Sequence, residues 1–111
     1  MPIKFTISDV QTALGVSASR SDESETPVFH TVETDSRTMD TGGLFVALEG
    51  ENFDGHTFIP DLLQKGGKGF VVNSKFPSRM SSDTAELVKK NNAALFPVPN
   101  TVEALGKLAR Y

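Results

Sequence analysis

A run of apolar residues at positions 44–48, Leu-Phe-Val-Ala-Leu, sets the strongest limit on the fold of this chain. A bounded apolar run of this length predicts a buried strand. Polar segments flank it, with Thr-Asp-Ser-Arg at 34–37 before it and Gly-Glu-Asn-Phe-Asp-Gly-His at 50–56 after it. Glycines near both borders allow tight turns and close backbone approach. Two polar loops near the ends of a buried strand are a common way to build a ligand site on an α/β sheet.

The composition is that of one small globular domain. A length of 111 residues suits a single domain with its own core. The net charge of −3 argues against a nucleic-acid surface, and the lack of cysteine excludes disulfides and thiolate metal sites. The first ten residues lack the apolar core of a signal peptide, and no stretch approaches the ~20 apolar residues of a membrane span. We therefore expect an intracellular protein.

The apolar pattern predicts one α/β domain with a small mixed β-sheet and helices packed on its faces. Strands are expected at residues 4–7, 27–32, 44–48, 70–72 and 94–98. The two central strands enclose a helical segment, and this strand–helix–strand order suggests parallel pairing. The polar segment at residues 17–26 is expected to be an exposed loop.

Capping signals and apolar spacing predict two helices in the first half of the chain. The first starts at Ser8, which has capping-box spacing with Gln11, and it ends at Gly15, a common residue after a helix. The second starts at His56 or Thr57, after the polar segment that follows the central run.

Two more helices are expected in the second half. A short one at residues 84–90 has a capping box formed by Asp83 and Glu86. The last follows Asn100, a favourable N-cap residue with Glu103 three positions later. Its inward face is expected to carry the apolar residues Val102, Leu105, Leu108 and Ala109. No stop signal follows this helix, which suggests that the chain is cut within or just after it.

Three segments together resemble a known enzyme family. They are Thr-Asp-Ser-Arg at 34–37, Gly-x-Leu-Phe-Val-Ala-Leu-x-Gly at 42–50 and Asp-Gly-His-x-Phe-Ile at 54–59. This order is similar to the amino-terminal domain of the Mur ligases, the ATP-dependent amide-forming enzymes of peptidoglycan precursor synthesis. The resemblance is closest to the MurF type, with the MurE type next. Residues 69–72 and 98–105 fit later parts of the same domain.

The resemblance implies what the chain does and what it belongs to. In this family the amino-terminal domain holds the UDP end of UDP-N-acetylmuramoyl-peptide, while ATP and Mg bind in a later domain. Residues 1–111 would then be the UDP-substrate-binding domain, a fragment of a longer cytoplasmic ligase that adds D-alanyl-D-alanine. Its partners would be that substrate and the downstream ATPase and carboxy-terminal domains of the same chain, with no cofactor in this domain. Residues 59–62 and 98–101 also resemble versions fused to an alanine racemase.

The segment at 34–37 allows two interpretations. In one, its amides, the Ser36 hydroxyl and Arg37 face the uracil, ribose or diphosphate of a nucleotide. In the other, Asp35 bonds its own backbone and Arg37 pairs with an acid, so the segment is a capped turn. The resemblance implies that Thr34 and Ser36 contact the UDP moiety, and that Asp35 and Arg37 hold the loop.

The segment at 51–53 is the other loop that contacts UDP in MurE-type proteins. Asn52 has the donors and acceptors that reading a uracil edge requires, and Phe53 could cover a base or a ribose. Alternatively, this is a surface loop with Phe53 in the core. A role for Glu51 is expected through its backbone, since its carboxylate would repel a diphosphate.

Asp54, Gly55 and His56 suggest acid–base chemistry, but a structural role is the stronger interpretation: Asp54 shapes a turn and His56 starts a helix. A secondary role of His56 near a phosphate is an alternative. His30 is expected to be a half-buried core residue. No spacing of His and carboxylate residues resembles a metal site, and no residue is assigned as catalytic.

The sequence lacks the phosphate-binding loop of ATP-using enzymes. The glycine-rich segment at 66–69, Gly-Gly-Lys-Gly, has neither the spacing nor the following Ser or Thr of that motif. We therefore expect the chain by itself not to hydrolyse ATP. Three alternatives stay open: a MurE-type ligase that adds the third peptide residue, a non-catalytic binding module of the same fold, and a small independent enzyme, which the lack of a nucleophile–base pair disfavours.

Overall fold

The computed structural model describes residues 5–19, 28–40 and 42–111. Strands in these ranges are β1 (Phe5–Thr6), β2 (Val28–Phe29), β3 (Thr31–Glu33), β4 (Gly43–Val46), β5 (Glu49–Gly50), β6 (Phe53–Asp54), β7 (Gly69–Asn73) and β8 (Ala94–Val98). Helices are α1 (Ile7–Leu14), α2 (Ile59–Gln64), α3 (Phe76–Arg79), α4 (Ser82–Asn91) and α5 (Thr101–Arg110), and a 3-10 helix (Gly55–Phe58) leads into α2.

The main sheet has four parallel strands in the order β3–β4–β7–β8. Its register places Leu44 beside Val32 on one side and beside Gly69 on the other. Antiparallel pairing is confined, among the described residues, to the two-stranded β1–β2 and β5–β6 pairs. Because all four main strands run the same way, the loops that follow them meet at one edge of the sheet. This edge is called the carboxyl edge below.

Helices cover both faces of the sheet, so the predicted α/β class is confirmed. Side chains alternate along β4: Leu44 and Val46 pack with α1 and α5, while Phe45 packs with α2 on the opposite face. All three are fully buried, as is Ala47 just beyond the strand. Residues 44–46 of the central apolar run therefore form a strand buried on both faces, as the pattern predicts, while residues 47 and 48 lie just beyond it.

The positions of two helix starts differ from the prediction. The first helix is capped by Thr6 rather than Ser8: the Thr6 hydroxyl accepts from the Asp9 amide at 3.1 Å, and Asp9 accepts from the Thr6 amide at 3.0 Å. Helix α4 is capped by Ser81 rather than Asp83. In both cases an earlier hydroxyl residue already bonds the free amides of the first turn, so the later candidate lies inside the helix. Gly15 ends α1 in the left-handed conformation, with φ of 69°, as expected.

Helix α5 is capped by Asn100 as predicted, but its buried face differs. The buried residues are Thr101, Ala104 and Leu108, whereas Val102 is 58% exposed. Ala109 is exposed as well. Leu105 is partly buried against the same core cluster as Ala104 and Leu108, so the face that meets the sheet is displaced by about one residue from the predicted one.

The strand predicted at 27–32 is divided into β2 and β3 at His30. His30 is exposed rather than half-buried, because the two short strands join different sheets and the residue between them lies at the surface. The predicted loop at 17–26 lies mostly outside the described residues; Ser19, which is described, pairs with Leu95. Over the described ranges, no helix combines the length and the apolar character that crossing a membrane requires.

Candidate functional site

A cleft opens at the carboxyl edge of the main sheet. It has a volume of about 500 Å³. The residues that line it are Thr34, Asp35, Ser36, Arg37, Leu48, Phe53 and Phe58. The first four follow β3, Leu48 follows β4, Phe53 lies in β6, and Phe58 ends the 3-10 helix. The sheet thus joins two segments that are separated in sequence, which is how parallel sheets commonly form ligand sites.

The polar side of the cleft is held by an ion pair. The Asp35 carboxylate accepts from the Arg37 guanidinium through two contacts, Nε at 3.1 Å and the terminal nitrogen at 2.9 Å. It also accepts from the Arg37 backbone amide at 2.9 Å. These hydrogen bonds, with the guanidinium contribution first, lower the pKa of Asp35 to about 2. The geometry is that of the capped turn, so Asp35 and Arg37 fix the loop that presents Thr34 and Ser36.

The opposite side of the cleft is aromatic. Phe53 is 47% exposed, although it is a large apolar residue, and its ring lies 6.0 Å from that of Phe58 at an interplanar angle of 38°. Phe53 is therefore not a core residue. The two tilted rings give the cleft an aromatic wall, formed by Phe53 and Phe58, against which a planar ring can pack.

Glu51 and Asn52 do not line this cleft. They form the turn between β5 and β6, and both are exposed. They lie at the exposed tip of the hairpin and are not among the residues that line the cleft, so sequence proximity to Phe53 does not bring them to the same surface. The structure therefore brings together Thr34, Ser36 and Phe53 from the predicted contacts, and leaves these two at the hairpin tip.

Asp54 and His56 line a second, smaller cavity of about 230 Å³ on the other side of the hairpin. His56 is buried, with 7% of its surface exposed. Its Nδ1 lies 2.7 Å from the Asp54 carboxylate, and its Nε2 accepts a hydrogen bond from the Asn73 amide at 2.9 Å. Because Nε2 faces an N–H donor, the ring is a neutral imidazole with its proton on Nδ1, donated to Asp54.

Asp54 also caps the 3-10 helix by accepting from the His56 amide at 2.9 Å. Partial burial raises the pKa of Asp54, but the hydrogen bonds from the His56 amide and ring outweigh it, with a smaller contribution from the charge of Arg79. The net pKa of Asp54 is therefore lower than usual. Gly55, between them, is buried against the backbone of residues 47–48. These contacts fit structural roles for all three residues.

A metal ion fits this second cavity poorly. Oxygen atoms of Glu49 and Asp54 and a His56 nitrogen lie within 4.8 Å of one another, a proximity that the sequence does not reveal. A metal at Nδ1 would require Nε2 to carry the ring proton, and that proton would face the Asn73 N–H. The cluster is therefore better described as a hydrogen-bonded support than as a metal centre.

Several lining residues were not predicted. Leu48 and Phe58 carry no sequence signal for a site, because apolar residues at these positions suggest core. Asn73 does carry a sequence signal for a site. It is the polar residue that follows the buried strand predicted at 70–72, and it therefore lies at the carboxyl edge. Phe76 and Arg79 of α3 line the second cavity and fall in a segment without a recognisable motif.

The glycine-rich segment at 66–69 lies at the opposite edge of the sheet, where β7 begins. Its glycines are required for packing: a Cβ on Gly69 would lie 2.4 Å from the Phe29 ring, and one on Gly67 would lie 2.9 Å from the Phe70 ring. This segment thus does not fit an ATP phosphate site, since the motif is missing and Gly67 and Gly69 face neighbouring side chains.

Comparisons with known proteins agree on one family. A family model described as "Mur ligase family, catalytic domain" matches residues 28–111. The chain is 32% identical over 83 residues to UDP-N-acetylmuramoyl-tripeptide–D-alanyl-D-alanine ligase of Treponema pallidum, a match covering 75% of this chain and 18% of that protein. It is 35% identical over 75 residues to UDP-N-acetylmuramoyl-L-alanyl-D-glutamate–2,6-diaminopimelate ligase of Cytophaga hutchinsonii. That match covers 68% of this chain and 14% of that protein.

The fold has the same relatives. The crystal structure of MurF from Acinetobacter baumannii superimposes with a TM-score of 0.71 and 26% identity, covering 96% of this chain and 20% of that one. The chain therefore spans about a fifth or less of the length of these relatives. Most of the similar proteins are D-alanyl-D-alanine ligases. With a family model matched over most of its length, the chain belongs to the Mur ligase family and has the fold of the amino-terminal domain of the MurF type.

Proposed function

We propose that this chain binds the UDP end of UDP-N-acetylmuramoyl-peptide, as the amino-terminal domain of a D-alanyl-D-alanine-adding ligase. The observation that carries the proposal is the cleft at the carboxyl edge, with the loop at 34–37 on one side and Phe53 with Phe58 on the other. A uridine nucleotide has a planar base and a polar ribose diphosphate, and these two surfaces complement the two sides of the cleft.

The lining residues suggest separate roles. Phe53 and Phe58 would stack on or flank the uracil, and Thr34 and Ser36 would bond the polar part through hydroxyls and backbone groups. Arg37 is engaged by Asp35, so it shapes the loop and provides a diffuse positive charge at its exposed end. Glu51 and Asn52 remain candidate contacts, because they occupy the exposed turn of the hairpin that carries Phe53.

The role of such a domain in a ligase is positioning. Binding energy from the UDP end, far from the reacting carboxylate, can hold the peptide where amide formation takes place. ATP and Mg would bind in a separate domain of the parent ligase, since the segment at 66–69 does not fit a phosphate site and the cavity at His56 fits a metal ion poorly. We infer that residues 1–111 act with the downstream ATPase and carboxy-terminal domains of a cytoplasmic enzyme, and that the chain alone does not turn over ATP.

A MurE-type parent is the second candidate. It is favoured by the similarity to the diaminopimelate-adding ligase of Cytophaga hutchinsonii. Both types are expected to take a UDP-linked substrate, so the proposed role of the cleft is the same. Fusion to an alanine racemase stays a prediction.

The proposal is tested by mapping amide chemical shifts of the ¹⁵N-labelled chain during titration with UDP. Shifts should concentrate at 34–37 and 50–58. Ser36→Ala should weaken the response without unfolding the domain, and Ser8→Ala, an exposed position on α1, is the matched control. Shifts confined to α5, or equal shifts with ribose 5-phosphate, which lacks the base, would contradict the assignment.

A further inference from the structure

The β5–β6 hairpin carries one wall of the cleft but has little stability of its own. It has only two residue pairs, Glu49 with Asp54 and Gly50 with Phe53, and it is not hydrogen-bonded to the main sheet as a strand. A two-stranded hairpin of this size is marginal in water. Its position must therefore be set by contacts at its base, where β6 enters the 3-10 helix.

His56 provides such a contact. Strand β4 pairs with β7 only as far as Val71, and beyond that point the Asn73 amide donates to His56 Nε2 at 2.9 Å. The other ring nitrogen bonds Asp54, the residue directly after Phe53, at 2.7 Å. One buried ring thus connects the end of a central strand to the residue next to the aromatic wall.

The surroundings of the ring favour this arrangement. The Phe76 ring lies 4.9 Å away at an interplanar angle of 32° and covers one face. The charged groups that share the cavity are Glu49, Asp54 and Arg79. The Asp54 carboxylate accepts a hydrogen bond from Nδ1–H, and the Asn73 N–H donates to Nε2, which therefore carries no proton. The two contacts together specify the neutral Nδ1–H tautomer.

We propose that His56 is a positioning residue of the cleft: its ring, fixed as the Nδ1–H tautomer between Asp54 and the Asn73 amide, holds the β5–β6 hairpin so that Phe53 faces the loop at 34–37. His56 does not touch the cleft itself. The effect on ligand affinity rests on the proposed function, whereas the effect on the hairpin does not.

Two substitutions of similar size distinguish the hydrogen-bond acceptor at His56 Nε2 from the volume that the ring fills. In His56→Gln, the side-chain oxygen occupies roughly the place of Nε2 and can accept from the Asn73 amide. His56→Met fills similar space but offers only a weak sulfur acceptor. The backbone amide of residue 56 still bonds Asp54 in both. We expect Gln to retain the hairpin position and Met to lose it.

The first measurements need no ligand, and the tautomer is read from the wild-type chain alone. The two-bond ¹H–¹⁵N correlation pattern of the His56 ring in the wild-type chain should be that of the Nδ1–H tautomer. The Asn73 amide should be protected from exchange in wild type and His56→Gln, and lose protection in His56→Met, while the Phe53 ring signals shift only in His56→Met. An Nε2–H tautomer, or identical Asn73 and Phe53 signals in all three proteins, would overturn the proposal.

The second measurement is UDP affinity by the same titration. It should fall by about tenfold in His56→Met, the scale of losing a hydrogen bond to a buried donor, and change about twofold or less in His56→Gln. Equal affinity of His56→Met and wild type would overturn the positioning role while leaving the proposed function intact. Failure of the wild-type chain to bind UDP would instead overturn the proposed function, and the ligand-free signals would still decide whether His56 holds the hairpin.

Discussion

A single methyl group at Gly55 should displace the hairpin that carries the aromatic wall. A Cβ at this position would lie 3.0 Å from the Leu48 nitrogen, 3.1 Å from the Ala47 Cα and 3.1 Å from the Leu48 oxygen. All three are backbone atoms, and they are held in place: the Ala47 amide donates to Val71 at 3.0 Å, and Gly55 itself donates to the Leu48 oxygen at 2.8 Å. The added methyl therefore cannot be accommodated by a side-chain rotation.

The size of the effect follows from two opposing contributions. Overpacking against fixed neighbours costs about 1–3 kcal/mol. Replacing glycine by alanine also lowers the conformational entropy of the unfolded chain, which stabilises the folded state by about 0.4–1 kcal/mol. Gly55 does not have a positive φ, so no backbone strain is added. We expect Gly55→Ala to lower the free energy of unfolding by a net amount on the order of 1–2 kcal/mol.

Gly50→Ala is the matched control, since it lies in the same hairpin and a Cβ there meets no atom within 4 Å. Its free energy of unfolding should be unchanged or slightly higher. Urea unfolding of wild type, Gly55→Ala and Gly50→Ala gives the three free energies. The m-values should agree, which shows that the three proteins expose the same surface area on unfolding. A loss of less than about 0.5 kcal/mol in Gly55→Ala relative to Gly50→Ala would show that the base of the hairpin is not tightly packed.

Three further predictions follow from the core, a helix cap and the loop ion pair. Leu44→Ala and Leu62→Ala should each lower the free energy of unfolding by about 2–5 kcal/mol in urea titrations, because both side chains are buried. Asn100→Ala should lower it by about 1 kcal/mol, since its side chain accepts from two amides of the first turn of α5. The pKa of Asp35 is lowered from 3.8 to about 2 by Arg37. The contribution of this ion pair to stability is therefore fully present above pH 3.8 and is lost as the pH falls to about 2. The difference in unfolding midpoint between wild type and Arg37→Gln should shrink over that interval, and a constant difference would contradict the pairing.

The strands and their order along the chain are local properties, and the sequence predicts most of them. The run at 44–48 has only apolar side chains, so both faces of that strand must be covered, whatever lies around it. Asn100 and Gly15 are likewise recognisable because capping and left-handed backbone depend on one side chain and its nearest amides. Ser8 was a wrong choice of cap for the same kind of reason: Thr6, two residues earlier, satisfies the same amides first, and the spacing alone does not rank the two.

The cleft has a different origin. The loop at 34–37 could be identified by its composition, but its distance from Phe53 depends on β3 and β4 being parallel neighbours with loops at the same edge. The exposure of Phe53 and His30 is a property of the packed structure. A single aromatic or imidazole side chain in the sequence does not indicate whether it will be buried or exposed. Glu51 and Asn52 adjoin Phe53 in sequence, yet they lie at the exposed tip of the hairpin and do not line the cleft.

The sequence by itself determined the buried central strand, the alternation of strands and helices, and the family through an ordered set of polar motifs. Only the tertiary structure decided which polar residues share a surface, that Leu48 and Phe58 complete the cleft, and that the His56 ring bonds both its neighbour Asp54 and the amide of Asn73, 17 residues further along the chain. The physical reason is range: capping, turn formation and apolar patterning act between near neighbours in the chain, whereas a binding cleft and a buried hydrogen-bonded ring depend on the register and order of strands that meet only after folding.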